Sequence, residues 1–186
     1  APNKNEQWYF KSQFKQTDNN KNNTILSVIE NELNHISEKN DAVSKYLNQN
    51  IEWHKKFNQK HSFSFAVDAV LDENNPMTLW ETNEPILQGL IPVLATENYV
   101  IKQLKETNAT TIDAIFKHYW VLNNFNHIYT TIGNKYNEDS FLTEDSQFLA
   151  DGSVNSFDNS GFGNDVDLTL NDLFVGVHYK FKAGIF

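Results

Sequence analysis

Arginine is missing from all 186 residues, so the 15 basic side chains are all lysine, and 24 carboxylates outnumber them to leave a formal net charge of -9. Recognition of nucleic acid leans on guanidinium forks and a basic surface, and both are wanting here. Cysteine is absent too, which excludes a disulfide framework and thiol chemistry. No apolar run is long enough for a helix to cross a bilayer, since such a helix needs about 18 or more residues. That absence leaves strands untouched, because a barrel strand needs only about 9–11 residues with one apolar face. Gly-rich phosphate loops, a Gly-x-Ser-x-Gly elbow and Cys/His pairs are also missing, and nothing nominates a nucleophile. The expectation is a non-enzymatic protein. Ala1, Pro2, Asn3 and Lys4 open straight into polar sequence, without the pattern of a signal peptide.

What is present is alternation. Leu47, Ile51, Trp53 and Phe57 share one parity, and Phe63, Phe65, Val67, Ala69 and Leu71 share another. A period of two places alternate side chains on opposite faces of a strand. A turn at Asn58, Gln59 and Lys60 sets Trp53 opposite Phe65, Ile51 opposite Val67 and Leu47 opposite Leu71. A slip of one residue would pair each with a polar neighbour, so the pattern fixes the register. The other face carries Asn48, Asn50, Glu52, His54 and Asp68. A second hairpin around Asn123, Asn124 and Phe125 sets Trp120 opposite Ile128, Phe116 opposite Ile132 and Ile112 opposite Tyr136.

Elsewhere the pattern is weaker. Trp8, Phe10 and Phe14 suggest a short strand, with a turn in the polar tract from Thr17 to Asn23. Over 24–45, Ile25, Ile29, Leu33 and Ile36 fit helical spacing, and the first three also fit a strand. The strand is preferred for the sake of its neighbours. Residues 73–108 hold three of the four prolines and read as a long loop, as do residues 137–167. In the last strand, Val166, Leu168 and Leu170 have the opposite parity to Leu173, Val175 and Val177, which predicts a bulge near Asn171 and Asp172. Residues 182–186 read as a turn and the start of a further strand.

Short turns alternating with long loops, and aromatic residues near the turns, mark outer-membrane barrels more than sandwiches. The expected fold is therefore all-β: an antiparallel up-and-down transmembrane β-barrel wall of about 6–8 strands. Its short turns would be periplasmic and its long loops extracellular. Ile51, Trp53, Phe65, Val67, Phe116, Trp120, Val175 and Val177 would form a lipid-facing belt about 25 Å tall. The alternative is a soluble secreted or surface β-rich module that binds a ligand.

The run from Lys117 to Tyr129, with Thr131-Ile132-Gly133-Asn134 after it, resembles the outer-membrane β-barrel family of TonB-dependent-receptor-like proteins of Bacteroidota. So do Asp151-Gly152-Ser153, Gly161-Phe162, Leu170-Asn171-Asp172-Leu173 and the strand end Tyr179-Lys180-Phe181-Lys182. The resemblance covers roughly residues 44–186 and implies a location in the outer membrane. It also implies lipid and the TonB system as partners, and a role in transport or as a surface receptor. Such proteins commonly carry a plug ahead of the barrel; none is visible, so the chain reads as an interior slice of the wall. These motifs describe strands and turns and name no substrate.

Two groups invite chemistry. Of the six histidines, the four in the hairpin registers fall apart: His54 faces Ser64, His61 faces Phe57, His118 faces Thr130 and His127 faces Val121, which suggests isolated histidines. Residues 137–167 hold eight carboxylates and no lysine. Asp151, Asp158, Asp165 and Asp167 are the candidate ligands of a calcium ion, with Gly152, Gly161 and Gly163 letting the backbone fold around it. A plain solvated acidic loop is the competing reading.

Overall fold

Matched alternation across successive strands produces a single antiparallel sheet. In the computed structural model, residues 5–29, 32–86 and 89–183 are described. The strands are β1 (Glu6–Ile29), β2 (Glu32–Lys56), β3 (His61–Thr82), β4 (Tyr99–Asn123), β5 (Asn126–Phe148), β6 (Val154–Ser156) and β7 (Asn164–Phe181). They pair up and down in the order β1-β2-β3-β4-β5, and β5 then pairs β6 near its end and β7 along the rest. No α-helix occurs among the described residues, and β1 and β7 are open edges.

Both hairpin registers hold as the alternation requires. Trp53 faces Phe65, Ile51 faces Val67 and Leu47 faces Leu71, while Trp120 faces Ile128 and Phe116 faces Ile132. A shift between Val121 and Asn123 narrows the second turn to Asn124 and Phe125.

Following the registers across the sheet joins these residues into one face. Trp8, Phe10 and Phe14 of β1 lie in line with Trp53, Ile51 and Leu47. Phe65 lies beside Phe116, and Ile132 beside Val175. On β3 the belt runs from Phe63 to Leu71, about nine residues, the length a tilted strand uses to cross hydrocarbon. Just beyond it the same face is polar, with Lys45, Glu73, Glu138 and Asp167, and nearer the loops it carries apolar residues again, among them Val28, Leu33, Met77 and Leu104. Among the described residues nothing packs over the belt: Phe10, Leu173 and Val177 are each 71% exposed.

The strands run much further than the belt. Apart from β6 they have 18 to 25 residues, against a usual five or six. The tract Thr17–Asn23 is therefore not a turn; it continues β1 and pairs with residues 38–44. Residues 24–45 lie in the β1 and β2 strands wherever they are described, and the helical alternative falls. The loop expected at 73–108 shrinks to 83–98, and the one at 137–167 to 149–163. Polar side chains sustain these extensions by bonding across strands: Ser44 to Asn74 at 2.7 Å, Thr78 to Asn40 at 2.7 Å, and Lys45 to Glu73 at 3.2 Å. Pro76 sits inside β3 opposite Ala42, and the β3–β4 ladder lapses at Asn75 and Pro76, where proline has no N–H to give.

No bulge interrupts β7, whose register with β5 is unbroken from Asn164 to Phe181. Its apolar residues simply change face along the strand. The further strand expected after Lys182 falls on residues 184–186, outside the described residues. β1 ends at Ile29 and β2 begins at Glu32, paired at the same end of the sheet as the long loops, so the alternation of short and long connections is not strict.

One close approach fastens β7. Gly133 of β5 faces Phe174, and a Cβ added there would lie 2.2 Å from the phenyl ring. The ring covers the glycine as aromatic residues do in sheets. Gly133→Val is expected to destabilise the β5–β7 pair by roughly 1–3 kcal/mol through overpacking. Chemical denaturation should show the loss, and Phe174→Ala in the same chain should recover most of it.

Candidate functional site

Three grooves lie on the face opposite the belt. One, at the short-turn end, is lined by His54, Ser64, Lys117, Tyr119 and Tyr129 among others, and a second, at mid-sheet, by Lys15, Tyr46 and Asp72. The third lies under the long loops, encloses about 440 Å³, and is the most apolar. The polar face is thus the hollow one.

The registers assemble the floor of this loop-covered cleft. Glu38 of β2 faces Trp80 of β3, Trp80 faces Ile101 of β4, and Ile101 faces Gln147 of β5. One pair further toward the short turns, Gln103 faces Asp145. Ile25 and Ile36, partners across β1 and β2, close one side. The roof comes from the loops, with Ile86 and Ile91 from residues 83–98 and Phe157 and Phe162 from residues 149–163.

Buried hydrogen bonds lock that roof. Gln147 is fully buried (0% exposed). Its Oε1 accepts from the Leu94 amide at 2.8 Å and its Nε2 donates to the Leu94 carbonyl at 2.8 Å, so one side chain imitates a strand partner. Asn155 donates to the Pro92 carbonyl at 3.0 Å and ties the two loops together. Asn83 does the same for the end of β2, accepting from the His35 amide at 2.9 Å and donating to the Leu33 carbonyl at 3.0 Å. Among the described residues the buried apolar side chains are Phe157 in the roof and Tyr99 and Ile101 of β4. Gly161, at φ +84°, turns the chain after the short 3-10 turn Asp158–Ser160.

Two carboxylates reach the cleft from opposite sides. Asn40 donates to Glu38 at 2.9 Å and Asn23 at 3.3 Å, and these amides hold its carboxyl below the usual range. Burial pushes Asp145 up; a hydrogen bond from Gln103 opposes that, the charge of Asp158 adds to it and Lys105 opposes it. A carboxyl raised in the docked state binds protons more readily there than when the loop is open. Its contribution to docking is therefore present below its ordinary pKa and lost as pH rises through the raised one. Hydrogen exchange of residues 153–158 is expected to slow as pH falls from 7 towards 4, after correction for intrinsic rates. Asp145→Asn should remove that pH dependence and give the slow behaviour throughout.

The four carboxylates expected to hold calcium stand on three elements, a turn, the short 3-10 segment and β7. Asp151 accepts from the Ser153 amide at 2.9 Å and its hydroxyl at 2.6 Å, which hold its carboxyl down. Asp158 accepts from the Ser156 hydroxyl at 3.0 Å. Asp165 and Asp167 stand on β7, opposite Leu142 and Ser140. Among the described residues no three His, Asp or Glu side chains gather so as to hold an ion.

The histidines are not all isolated. His61 Nδ1 and His118 Nε2 are 3.0 Å apart, and the rings stack at 5.3 Å between Phe63 and Trp120. Hairpin registers alone cannot show this, because the pair forms across β3 and β4, which a long loop joins. Gln147 and Trp80 also escape a reading of the sequence for chemistry. The available signal is parity, since Trp80 lies opposite to the belt residues of its own strand. No family model matches the sequence, and no curated protein matches it.

Proposed function

We propose that this chain is wall of an outer-membrane β-barrel of the TonB-dependent-receptor-like kind, serving transport or surface reception without an enzymatic role. The observation that carries this reading is the pairing of an uncovered apolar belt on one face with grooves on the polar face. In a soluble sandwich the apolar face is the covered one. Here the described residues supply no second layer for it, while the loops fold over the polar face instead. Aromatic residues and the stacked histidines gather at the short-turn rim, as at a membrane interface. The strand and turn motifs that resemble the family support the same assignment. In hydrocarbon every backbone group needs a partner, so the edges of β1 and β7 must themselves be paired when the wall is assembled.

The test is where the polypeptide resides and what its indoles meet. In its native membrane it should remain with the outer-membrane fraction after alkaline washing. Reconstituted into vesicles containing brominated lipid, the fluorescence of Trp53 and Trp120 should be quenched. Full release by the wash, with no bromine quenching, would sink the reading in favour of a soluble binding module.

A further inference from the structure

We propose that the loop-covered cleft binds a small organic cation, an apolar or aromatic body bearing an ammonium head, with Glu38 and Trp80 taking the head. This goes beyond the barrel reading and does not depend on it, because the cleft is built from β1–β5 and two loops whatever surrounds the belt.

The cleft has the size and lining of a small-molecule site, a largely apolar cavity with a few converging polar groups. Its walls are isoleucine, phenylalanine and one indole, with Glu38 and Asp145 as the charged groups and no lysine among the described lining residues. An anionic guest would meet two carboxylates in the lining, with Lys21 and Lys105 acting only from outside it. A neutral apolar guest would leave the placing of Glu38 unused.

The Glu38 side is where a cation fits best. Glu38 and Trp80 are direct cross-strand partners on the hollow face, so their Cβ atoms lie about 4.5–5.5 Å apart. An ammonium between them meets a carboxylate on one side and the negative face of an indole on the other. Asn23 and Asn40 orient both carboxylate oxygens, so the anion is fixed before a guest arrives. Asp145 stands three strands away, roughly 14 Å at about 4.8 Å per strand. That span leaves room for an apolar body beneath Ile91 and Phe157, with Asp145 at the far wall.

Calorimetry with 4-phenylbutylammonium and its uncharged counterpart 4-phenylbutanol tests this, using the full chain folded in dodecylmaltoside micelles at moderate salt to suppress diffuse attraction. The amine should bind saturably and at least about tenfold more tightly than the alcohol, the usual effect of one well-placed charged contact. Glu38→Gln should bring the amine down to the level of the alcohol while leaving the alcohol unchanged, which also shows that the variant keeps its cleft. Glu52→Gln, on the same face at the other end of the sheet, should change neither. The proposal is overturned if the amine shows no saturable heat, if amine and alcohol bind alike, or if Glu38→Gln leaves amine binding intact or weakens both compounds. It is equally overturned if Glu52→Gln weakens the amine as much.

Discussion

Val67→Lys is expected to cost roughly 2–4 kcal/mol and to block assembly in a bilayer, because it places an ammonium at the middle of the apolar belt. Val67 lies halfway between Phe63 and Leu71 on β3, beside Ile51 of β2 and Ala114 of β4. A lysine there is too far from either rim to snorkel comfortably. The neighbouring residue supplies the contrast. Ala66 points to the hollow face, between the polar side chains of Ser64 and Asp68. Ala66→Lys should therefore assemble close to normally. Folding yield into lipid vesicles, followed by resistance to protease, measures both. Equal tolerance of the two lysines would place both faces in water.

The second large effect concerns the roof of the cleft. Gln147→Leu keeps most of the side-chain volume but removes both hydrogen bonds to Leu94. It leaves a backbone amide and a carbonyl unpaired beneath the loops, costing about 1–3 kcal/mol. Since the lost contacts join a loop to β5 rather than strand to strand, the cost should appear as local opening. Exchange of the Leu94 amide should quicken roughly tenfold to a hundredfold, the rate equivalent of that energy. Amides in the centre of β4 should keep their protection. Uniform acceleration across the sheet would show that Gln147 supports the fold as a whole.

Wherever apolar residues alternate against a polar face, register is legible in the sequence alone. Trp53 with Phe65 and Trp120 with Ile128 follow from parity alone, because slippage would expose every belt residue to the wrong side. The extent of the strands was not legible. From Thr17 to Asn23 and from Glu73 to Asn75 both faces are polar, so no alternation marks them, although the backbone ladder continues. The Val166 to Leu170 segment reads as a bulge only if apolar residues must stay on one face. On this sheet the hollow face gains its own apolar residues at the loop end, among them Ile25, Ile36, Trp80 and Ile101, and β7 follows suit without a break. Contacts between hairpins were out of reach for a different reason. The offset between β3 and β4 is set across residues 83–98, and no local turn rule reports it. The stacking of His61 on His118 and the facing of Trp80 with Ile101 both depend on that offset. The acidic loop is rich in carboxylates, but pairing carries Asp165 and Asp167 onto β7, while Ser153 and Ser156 engage Asp151 and Asp158 locally.

The absence of cysteine makes one measurement direct. Single cysteines placed in turn at each position from 63 to 71, spin-labelled and reconstituted in vesicles, report collision with oxygen in lipid and with a water-soluble nickel chelate. Labels at 63, 65, 67, 69 and 71 are expected to favour oxygen, those at 64, 66, 68 and 70 the chelate, and the oxygen preference should peak near 67. Chelate access at all nine positions, with no period of two, would contradict a lipid-facing belt.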